Sequence, residues 1–314
     1  MNKKCLYCSK KLIENETDFH SKCSKAFFGS VSAPVLDYHQ KDLLQLAEKV
    51  INSHQTITGV QPKLSLGIQK KDKNNPVERL TIVGLWGRYI LKPQTELYPE
   101  LPELENLTMR LARISGITTV DNSLIRLKSG ELSYITQRID RIKNKKNHME
   151  DMCQLTERLT EHKYKGSYEQ IGKVILKYSA NPVFDAISFF EEILFCFLTG
   201  NNDMHLKNFS LIKTDFNNYK LSPAYDLISS TLVIPEDDEE TALTLNGKKR
   251  KLNPEDFKSL GNSLKISSKT QERIFSTYRQ KTEKWPEEIE NSFLSDSMKE
   301  KYKNLVASRL ERLF

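Results

Sequence analysis

The sequence predicts an α+β protein of two lobes, a β-rich N-lobe followed by a mainly helical C-lobe. Three observations carry this expectation. Short segments between residues 63 and 139 alternate apolar and polar side chains with period two, the pattern of half-buried strands. From residue 149 onward the apolar spacing changes to that of helices. Directly after the most apolar run of the chain, Asn202-Asp203-Met204-His205-Leu206-Lys207-Asn208 gathers acid, amide and imidazole chemistry into one short loop.

The 314 residues suffice for two moderate cores, and 38% hydrophobic with 28% charged residues excludes a disordered chain. No apolar run approaches the roughly 20 residues that cross a bilayer, so no membrane association is expected. No apolar signal core follows Met1-Asn2-Lys3-Lys4-Cys5, and the cytoplasm is the expected location. The net charge of +7, from 48 Lys and Arg against 41 Asp and Glu, is mixed along the chain. That suits acidic partners without being the footprint of direct nucleic-acid binding.

Residues 1–29 form a Cys/His leader. Leu43, Leu44, Leu46, Ala47, Val50 and Ile51 recur at helical spacing and predict a helix over 42–51. Segments 63–68, 80–83 and 88–92 follow as an antiparallel strand set, stopped by Pro93 and Pro99. Pro102 opens a helix that Gly116 ends, with Leu104, Leu107, Leu111 and Ile114 on one face. Strands over 123–127 and 131–139 complete the N-lobe, assigned to residues 30–140. The segment 140–149, with Arg141, Lys143, Lys145 and Lys146, reads as an exposed basic loop.

The C-lobe is assigned to residues 141–314. Ser167 with Gln170 three positions on has the form of a capping box. Asn181-Pro182 opens a helix through Phe184, Phe189, Phe190, Ile193, Phe195 and Phe197 that Gly200 closes. Apolar on most sides, it is expected to be buried and central. Segments 209–213 and 219–222 predict a hairpin, and amphipathic helices fill the chain from Ser267.

An Asp, four residues, then an Asn is the spacing of kinase catalytic loops, and Tyr225-Asp226 follows eighteen residues after Asn208. The Asp203 carboxylate can accept the proton of an attacking hydroxyl. The Asn208 amide oxygen and the Asp226 carboxylate can hold a divalent metal beside phosphates. Lys92, ending a strand, is the candidate cation for those phosphates, with Glu103 or Glu105 of the next helix as partner. A strand-end lysine in solvent is the plainer alternative. The phosphate loop belongs at Thr56-Ile57-Thr58-Gly59-Val60-Gln61-Pro62-Lys63. Its single glycine fails the G-x-G-x-x-G pattern, although backbone N–H groups and Lys63 could form an anion nest.

The leader reads Cys5-x2-Cys8-x11-His20-x2-Cys23. Cys3His chemistry suits tetrahedral Zn2+, structural because four protein ligands leave no open position; a reduced, metal-free hairpin is the alternative. Cys153 and Cys196 are expected as buried small hydrophobes. The His148, Glu150 and Asp151 group points to helix capping or ion pairs rather than metal.

The strings Thr58-Gly59-Val60-Gln61-Pro62-Lys63-Leu64-Ser65-Leu66, Met204-His205-Leu206-Lys207-Asn208-Phe209-Ser210-Leu211, Leu221-Ser222-Pro223-Ala224-Tyr225-Asp226-Leu227 and Leu243-Thr244-Leu245-Asn246-Gly247-Lys248 carry a resemblance. Together they resemble the HipA-type serine/threonine kinase toxins, from about residue 55 to the C-terminus. The resemblance implies a two-lobed protein-kinase-like fold using ATP and Mg2+. It implies Asp203 as proton acceptor, Asn208 and Asp226 as metal ligands with Tyr225 beside them, and Lys92 as the phosphate-binding lysine. Thr58, Gly59, Val60, Gln61, Pro62 and Lys63 become the nucleotide loop, and His205, Leu206 and Lys207 line the nucleotide side. Gln137-Arg138-Ile139 matches the hinge facing adenine, departing from the Glu-Arg-Phe pattern common in the family.

By the same resemblance the substrate is an aminoacyl-tRNA synthetase, the tryptophanyl enzyme favoured, and the consequence is stalled translation. Full-length members carry a further N-terminal subdomain before the nucleotide loop. Here the Cys/His leader stands instead, which resembles the short HipT-type branch. In that branch a small antitoxin supplies the missing part and a DNA-binding antitoxin completes the set. The family's inactivating autophosphorylation falls on serine near the loop, and Thr56 and Thr58 hold the matching positions. Two rival functions compete: a small-molecule phosphotransferase using the same Asp, Asn and Asp, and a catalytically silent zinc-bearing binding module for nucleic acid or a repressor partner.

Overall fold

The computed structural model describes residues 3–53, 62–71, 77–83, 86–142, 145–214 and 216–314. Of the expected nucleotide loop only Pro62 and Lys63 are included; Thr56, Thr58, Gly59, Val60 and Gln61 lie outside the described residues. The chain divides into two compact units. One holds Met1–Asn106, Val120–Lys145 and Asn291–Phe293; the other holds Leu107–Thr119, Lys146–Glu290 and Leu294–Phe314. No helix among the described residues is long and apolar enough to cross a membrane.

The first unit is built on period-two alternation. Its elements are α1 (Ser21–Phe28), α2 (Gln40–Ser53), β1 (Leu64–Gln69), β2 (Arg79–Ile82), β3 (Tyr89–Lys92), the start of α3 (Leu101–Ile114), β4 (Asn122–Arg126) and β5 (Leu132–Gln137). The strands form one antiparallel sheet in the order β2-β1-β3-β5-β4. Register sets Leu64 opposite Leu91 and Leu91 opposite Ile135, so one apolar row crosses three strands. These side chains pack with Leu43 of α2 and with Phe27 and Phe28 of α1 in a single core. Burying each such side chain contributes about 1.5–3 kcal/mol. Lys92, one residue beyond Leu91, falls on the opposite face, where it meets α3.

The segment 140–149 corrects the expectation of an exposed basic loop. It forms the paired strands β6 (Arg141–Ile142) and β7 (Lys145–Lys146) and leads into β8 (Met149–Asp151). Lys145 and Lys146 are exposed, whereas Arg141 pairs with Asp140 and stacks over the Trp86 ring at 5.5 Å. A basic segment can pair its backbone while its lysines reach solvent, which composition alone conceals.

The second unit is organised around one helix. After β8 come α4 (Met152–Leu155), α5 (Tyr168–Tyr178), α6 (Pro182–Thr199), β9 (Ser210–Lys213), β10 (Tyr219–Leu221), α7 (Ser230–Val233), α8 (Pro254–Ser263), α9 (Ser268–Thr282), α10 (Trp285–Glu290) and α11 (Asp296–Leu313). Pro182 sits at the first position of α6, and Gly200 ends it in the left-handed region at φ 66°. From Phe189 on, nearly every α6 side chain is buried, with Phe189 against Phe209, Phe195 against Trp285 and Phe197 against Phe257. Val183 and Phe184 on the first turn are the exceptions, 66% and 74% exposed. Ser167 caps α5 by accepting from the Gln170 N–H. The reciprocal half of the expected capping box is absent, because Gln170 Oε1 accepts from Arg158 instead.

Candidate catalytic site

The α6 terminus delivers the chain into residues 201–208, and the loop is fastened at almost every step. The Asn202 N–H donates to Ser230 Oγ at 2.8 Å, and its amide donates to Asp237 and to the Glu239 carbonyl. Tyr168 donates its hydroxyl to the Met204 carbonyl, and the Leu206 N–H donates to the Lys163 carbonyl. Met204 and Leu206 are fully buried anchors. A loop with its backbone groups satisfied this way holds its polar side chains in fixed positions.

Asp203 and Asn208 meet in this loop. The Asn208 NH2 donates to the Asp203 carbonyl at 3.1 Å, and the Asn208 N–H donates to the His205 carbonyl at 2.9 Å. With the NH2 committed, the amide oxygen is the Asn208 atom left for a cation. Asn208 closes a 3-10 turn, Leu206–Asn208, that runs into β9. The antiparallel pairing of β9 with β10 returns the chain beside it, and Asp226 lies five residues past Leu221, the end of β10. Tyr225 ties the two ends together: its hydroxyl donates to the Lys207 carbonyl at 3.0 Å and shares a hydrogen bond with Ser210 Oγ at 2.6 Å. Asp226 itself adopts φ 57°, a backbone region that Asp tolerates better than most side chains.

His205 feels the charges of both carboxylates. Burial, the largest influence, pushes its imidazole down to about 4, while the charges of Asp203 and Asp226 both pull the other way and Lys163 reinforces the burial. The ring is therefore neutral at physiological pH, and its Nδ1 has no hydrogen-bond partner among the described residues. The Tyr164 hydroxyl donates to Asp203 Oδ1 at 2.6 Å and its ring stands edge-on to His205, centroids 5.1 Å apart. Burial and then the Asp203 charge raise the Tyr164 phenol, so it stays a neutral donor. Tyr164, thirty-nine residues from Asp203, went unforeseen because no local pattern links them.

Other expected residues have different surroundings. Lys207 Nζ pairs with Asp151 Oδ2 at 2.7 Å. Asp151 also caps α4 with a full capping box, and His148 lies 3.4 Å from Glu150, so that acidic group serves capping and ion pairing as its composition suggested.

In the first unit, Lys92 Nζ meets Glu105 Oε1 at 2.5 Å, both buried, with the Tyr134 ring 5.3 Å from the ammonium. Glu105 rather than Glu103 is the partner. Two residues apart on a helix, they point in nearly opposite directions. Glu103 has a buried carboxyl that desolvation raises to about 7. Arg138 holds Asp140 through two bonds, Nε to Oδ1 at 3.0 Å and Nη2 to Oδ2 at 2.9 Å, and Ile139 beside it is half-buried. The Gln137 amide donates to the Phe27 carbonyl at 2.5 Å. Cys5, Cys8, His20 and Cys23 gather their ligand atoms within 4.8 Å of one another, a group that could hold a metal ion.

The chain is similar to known proteins in family and in fold. The family model described as "HipA-like C-terminal domain" matches residues 55–285. The chain is 36% identical over 186 residues to a Haemophilus influenzae protein named "Putative kinase", covering 55% of this chain and 52% of that protein. It is 34% identical over 207 residues to "Putative kinase Y4dM" of Sinorhizobium fredii, covering 62% and 49%. The chain thus spans about half the length of the curated relatives it matches. Among solved structures it is similar to the Shewanella oneidensis toxin–antitoxin complex of HipA, HipB and operator DNA, with TM-score 0.67, 21% identity, and 85% of this chain and 70% of that one covered. It is also similar to the Helicobacter pylori proinflammatory kinase CtkA, with TM-score 0.53, 14% identity, and 72% and 87% covered. The fold is the two-lobed, kinase-like α+β fold.

Proposed function

The chain belongs to the HipA-like C-terminal domain family, and from that premise we propose that it is an ATP-dependent serine/threonine protein kinase. Two observations support this reading: the hydrogen bond that ties Asn208 to Asp203, and the pull of both the Asp203 and Asp226 charges on His205. Asp203 accepts the proton of the incoming hydroxyl. For that, Tyr164 gives up its hold on Oδ1, and the substrate hydroxyl takes the phenol's place as donor. Asn208 and Asp226 would hold magnesium, and the donor set fits: amide and carboxylate oxygens are the hard ligands this ion takes. When bound, the ion neutralises charge building on the transferred phosphoryl group. Because His205 is neutral, its ring adds no positive charge beside the two carboxylates.

Lys92 is the phosphate-binding lysine, kept extended by Glu105. Thr58, Gly59, Val60, Gln61, Pro62 and Lys63 form the nucleotide loop, Gln137-Arg138-Ile139 the hinge, and His205, Leu206 and Lys207 the nucleotide side of the catalytic loop. Tyr225 supports that loop from behind through the Lys207 carbonyl. Thr56 and Thr58 are the autophosphorylation sites, where added phosphate charge would oppose nucleotide binding. The working division is a leader (1–29) holding a structural zinc, a nucleotide-binding N-lobe (30–140) and a catalytic C-lobe (141–314).

Biologically, the reading is the toxin of a cytoplasmic toxin–antitoxin system acting on an aminoacyl-tRNA synthetase, the tryptophanyl enzyme favoured. A DNA-binding antitoxin is the expected partner, supported by the presence of HipB in the Shewanella oneidensis complex. A second small antitoxin is a further expected partner. Brief expression of wild type and Asp203→Ala, followed by phosphoproteomics, tests this. Wild type should add phosphate to a synthetase serine or threonine, and the variant should do so at least about 100-fold less. Label entering metabolites and no protein would instead make the chain a small-molecule phosphotransferase. An unchanged biological effect in Asp203→Ala would make it a silent binding module.

A further inference from the structure

The leader combines a set of soft ligands with an aromatic plug, and the two are continuous. A turn at residues 5–9 is closed by the Ser9 N–H donating to the Cys5 carbonyl at 2.8 Å and the Cys5 N–H donating to the Lys10 carbonyl at 2.9 Å. Lys4 and Lys11 bridge as an antiparallel pair behind it. This turn presents Cys5 and Cys8 on one side, and the start of α1 presents His20 and Cys23 on the other.

We infer that Cys5, Cys8, His20 and Cys23 bind one structural zinc ion, and that this ion fixes α1 so that its Phe27 end holds the first unit's core and the Gln137 side chain. Four observations support the site. His20 Nδ1 lies 3.3 Å from Cys8 Sγ and 3.6 Å from Cys23 Sγ. Tetrahedral zinc with Zn–S near 2.3 Å and Zn–N near 2.0–2.1 Å sets its sulfur–nitrogen edges at about 3.5 Å. The far imidazole nitrogen, Nε2, lies 3.0 Å from the Lys11 carbonyl. A carbonyl can only accept, so Nε2 carries the proton and Nδ1 presents its lone pair to the cluster, the orientation a bound metal needs. The His20 N–H points at Cys5 Sγ at 3.5 Å, a donor suited to a thiolate. Finally, no disulfide joins these cysteines, and Cys5 and Cys23 are buried, out of reach of bulk thiols. On binding, three thiols release three protons and the neutral imidazole completes the shell.

The plug follows from the packing. Tyr7 and Phe19 touch both the cysteine cluster and the sheet core. Phe27 and Phe28 stack edge-on with centroids 4.8 Å apart, and both lie within 6 Å of the Tyr89 ring on β3, at 5.7 and 5.9 Å. The Phe27 carbonyl accepts from the Tyr89 hydroxyl at 3.3 Å and from the Gln137 amide at 2.5 Å. Leu124 of β4 also donates its N–H to the Leu6 carbonyl. Only eight residues form α1, too few to be helical alone. Its order therefore depends on what anchors it at each end: ligands at the start, aromatic burial at the finish.

The second half of this inference, the hold on Gln137, rests on reading residues 137–139 as the hinge only for its functional meaning; the zinc site stands without it. The test uses the full chain purified without chelator. Elemental analysis should find one zinc per chain, surviving gel filtration and released when a mercurial reagent titrates the thiols. Cys8→Ser should lose the ion and melt several degrees lower, whereas Cys153→Ser, buried elsewhere, should keep it. Sub-stoichiometric metal in wild type, or full zinc in Cys8→Ser, overturns the site. Hydrogen exchange on wild type before and after zinc release tests the plug. Faster exchange should spread from residues 5–23 into 24–28 and 134–138, and protection unchanged in the latter two overturns it. None of these readouts measures phosphoryl transfer, so an inactive chain that retains zinc sinks the kinase reading alone.

Discussion

Lys92 and Glu105 expose 5% and 2% of their side chains, so their pairing is a structural obligation as well as a candidate catalytic one. Removing one partner strands a buried charge, at about 3–5 kcal/mol, whereas replacing both by apolar side chains is close to neutral. Lys92→Met should lower urea stability by that amount, and Lys92→Met with Glu105→Leu should regain most of it, with neither variant phosphorylating protein. A Lys92→Met chain of wild-type stability would refute the buried pair. His205 gives a pH test at the same scale. Its folded-state value, about 4, lies below the 6.5 of an unfolded histidine. Between those values the unfolded chain holds the extra proton, so stability falls as pH drops from about 6.5 and stops falling near 4. His205→Gln should flatten that stretch of the melting-temperature profile; parallel profiles for the two proteins would contradict it. The sequence pattern singled out Asp203, Asn208 and Asp226, but the Tyr164 contact was invisible to it, because hydrogen bonds across thirty-nine residues leave no periodicity.

At the scale of elements, α6 is the clearest case of legible sequence. Its Asn-Pro opening, apolar length and closing glycine all have local causes, and each is found where expected. One residue within it breaks the pattern. Burial raises the Glu192 carboxyl to about 8, and its Oε1 has no hydrogen-bond partner among the described residues. The unfolded carboxyl ionises near 4.5, so the folded chain holds the extra proton between about 4.5 and 8, and stability declines as pH rises through that window. Glu192→Gln should stabilise the protein by an amount that grows to a few kcal/mol by pH 8 and then levels off. Thermal melts of both proteins across that range check this, and a constant offset would argue against a protonated Glu192. Several other elements were missed, two of them for opposite reasons. β8, Met149–Asp151, is three residues long and too short to show alternation. α8 carries a full signature, Asn253 capping, Pro254 at the first turn and Asp256 returning the bond, which went unread.

For the whole molecule, the kinase reading requires that nucleotide and metal bind the folded state. Mg-ATP at 100 times its dissociation constant should add about 2.7 kcal/mol to wild-type stability. Asp226→Asn should lose most of that thermal shift while melting normally without ligand; an undiminished shift would remove Asp226 from the metal site. Sequence alone determined the α+β class, most of the longer elements and the candidate polar residues of the loop 202–208, since periodicity, caps and motif spacing are local properties of the chain. Tertiary structure alone decided which glutamate meets Lys92, that Tyr164 closes on Asp203, and that Phe27 and Phe28 of the leader belong to the core beneath β3. Those outcomes depend on which faces of distant elements come to lie against each other, and packing fixes that only once the chain has folded.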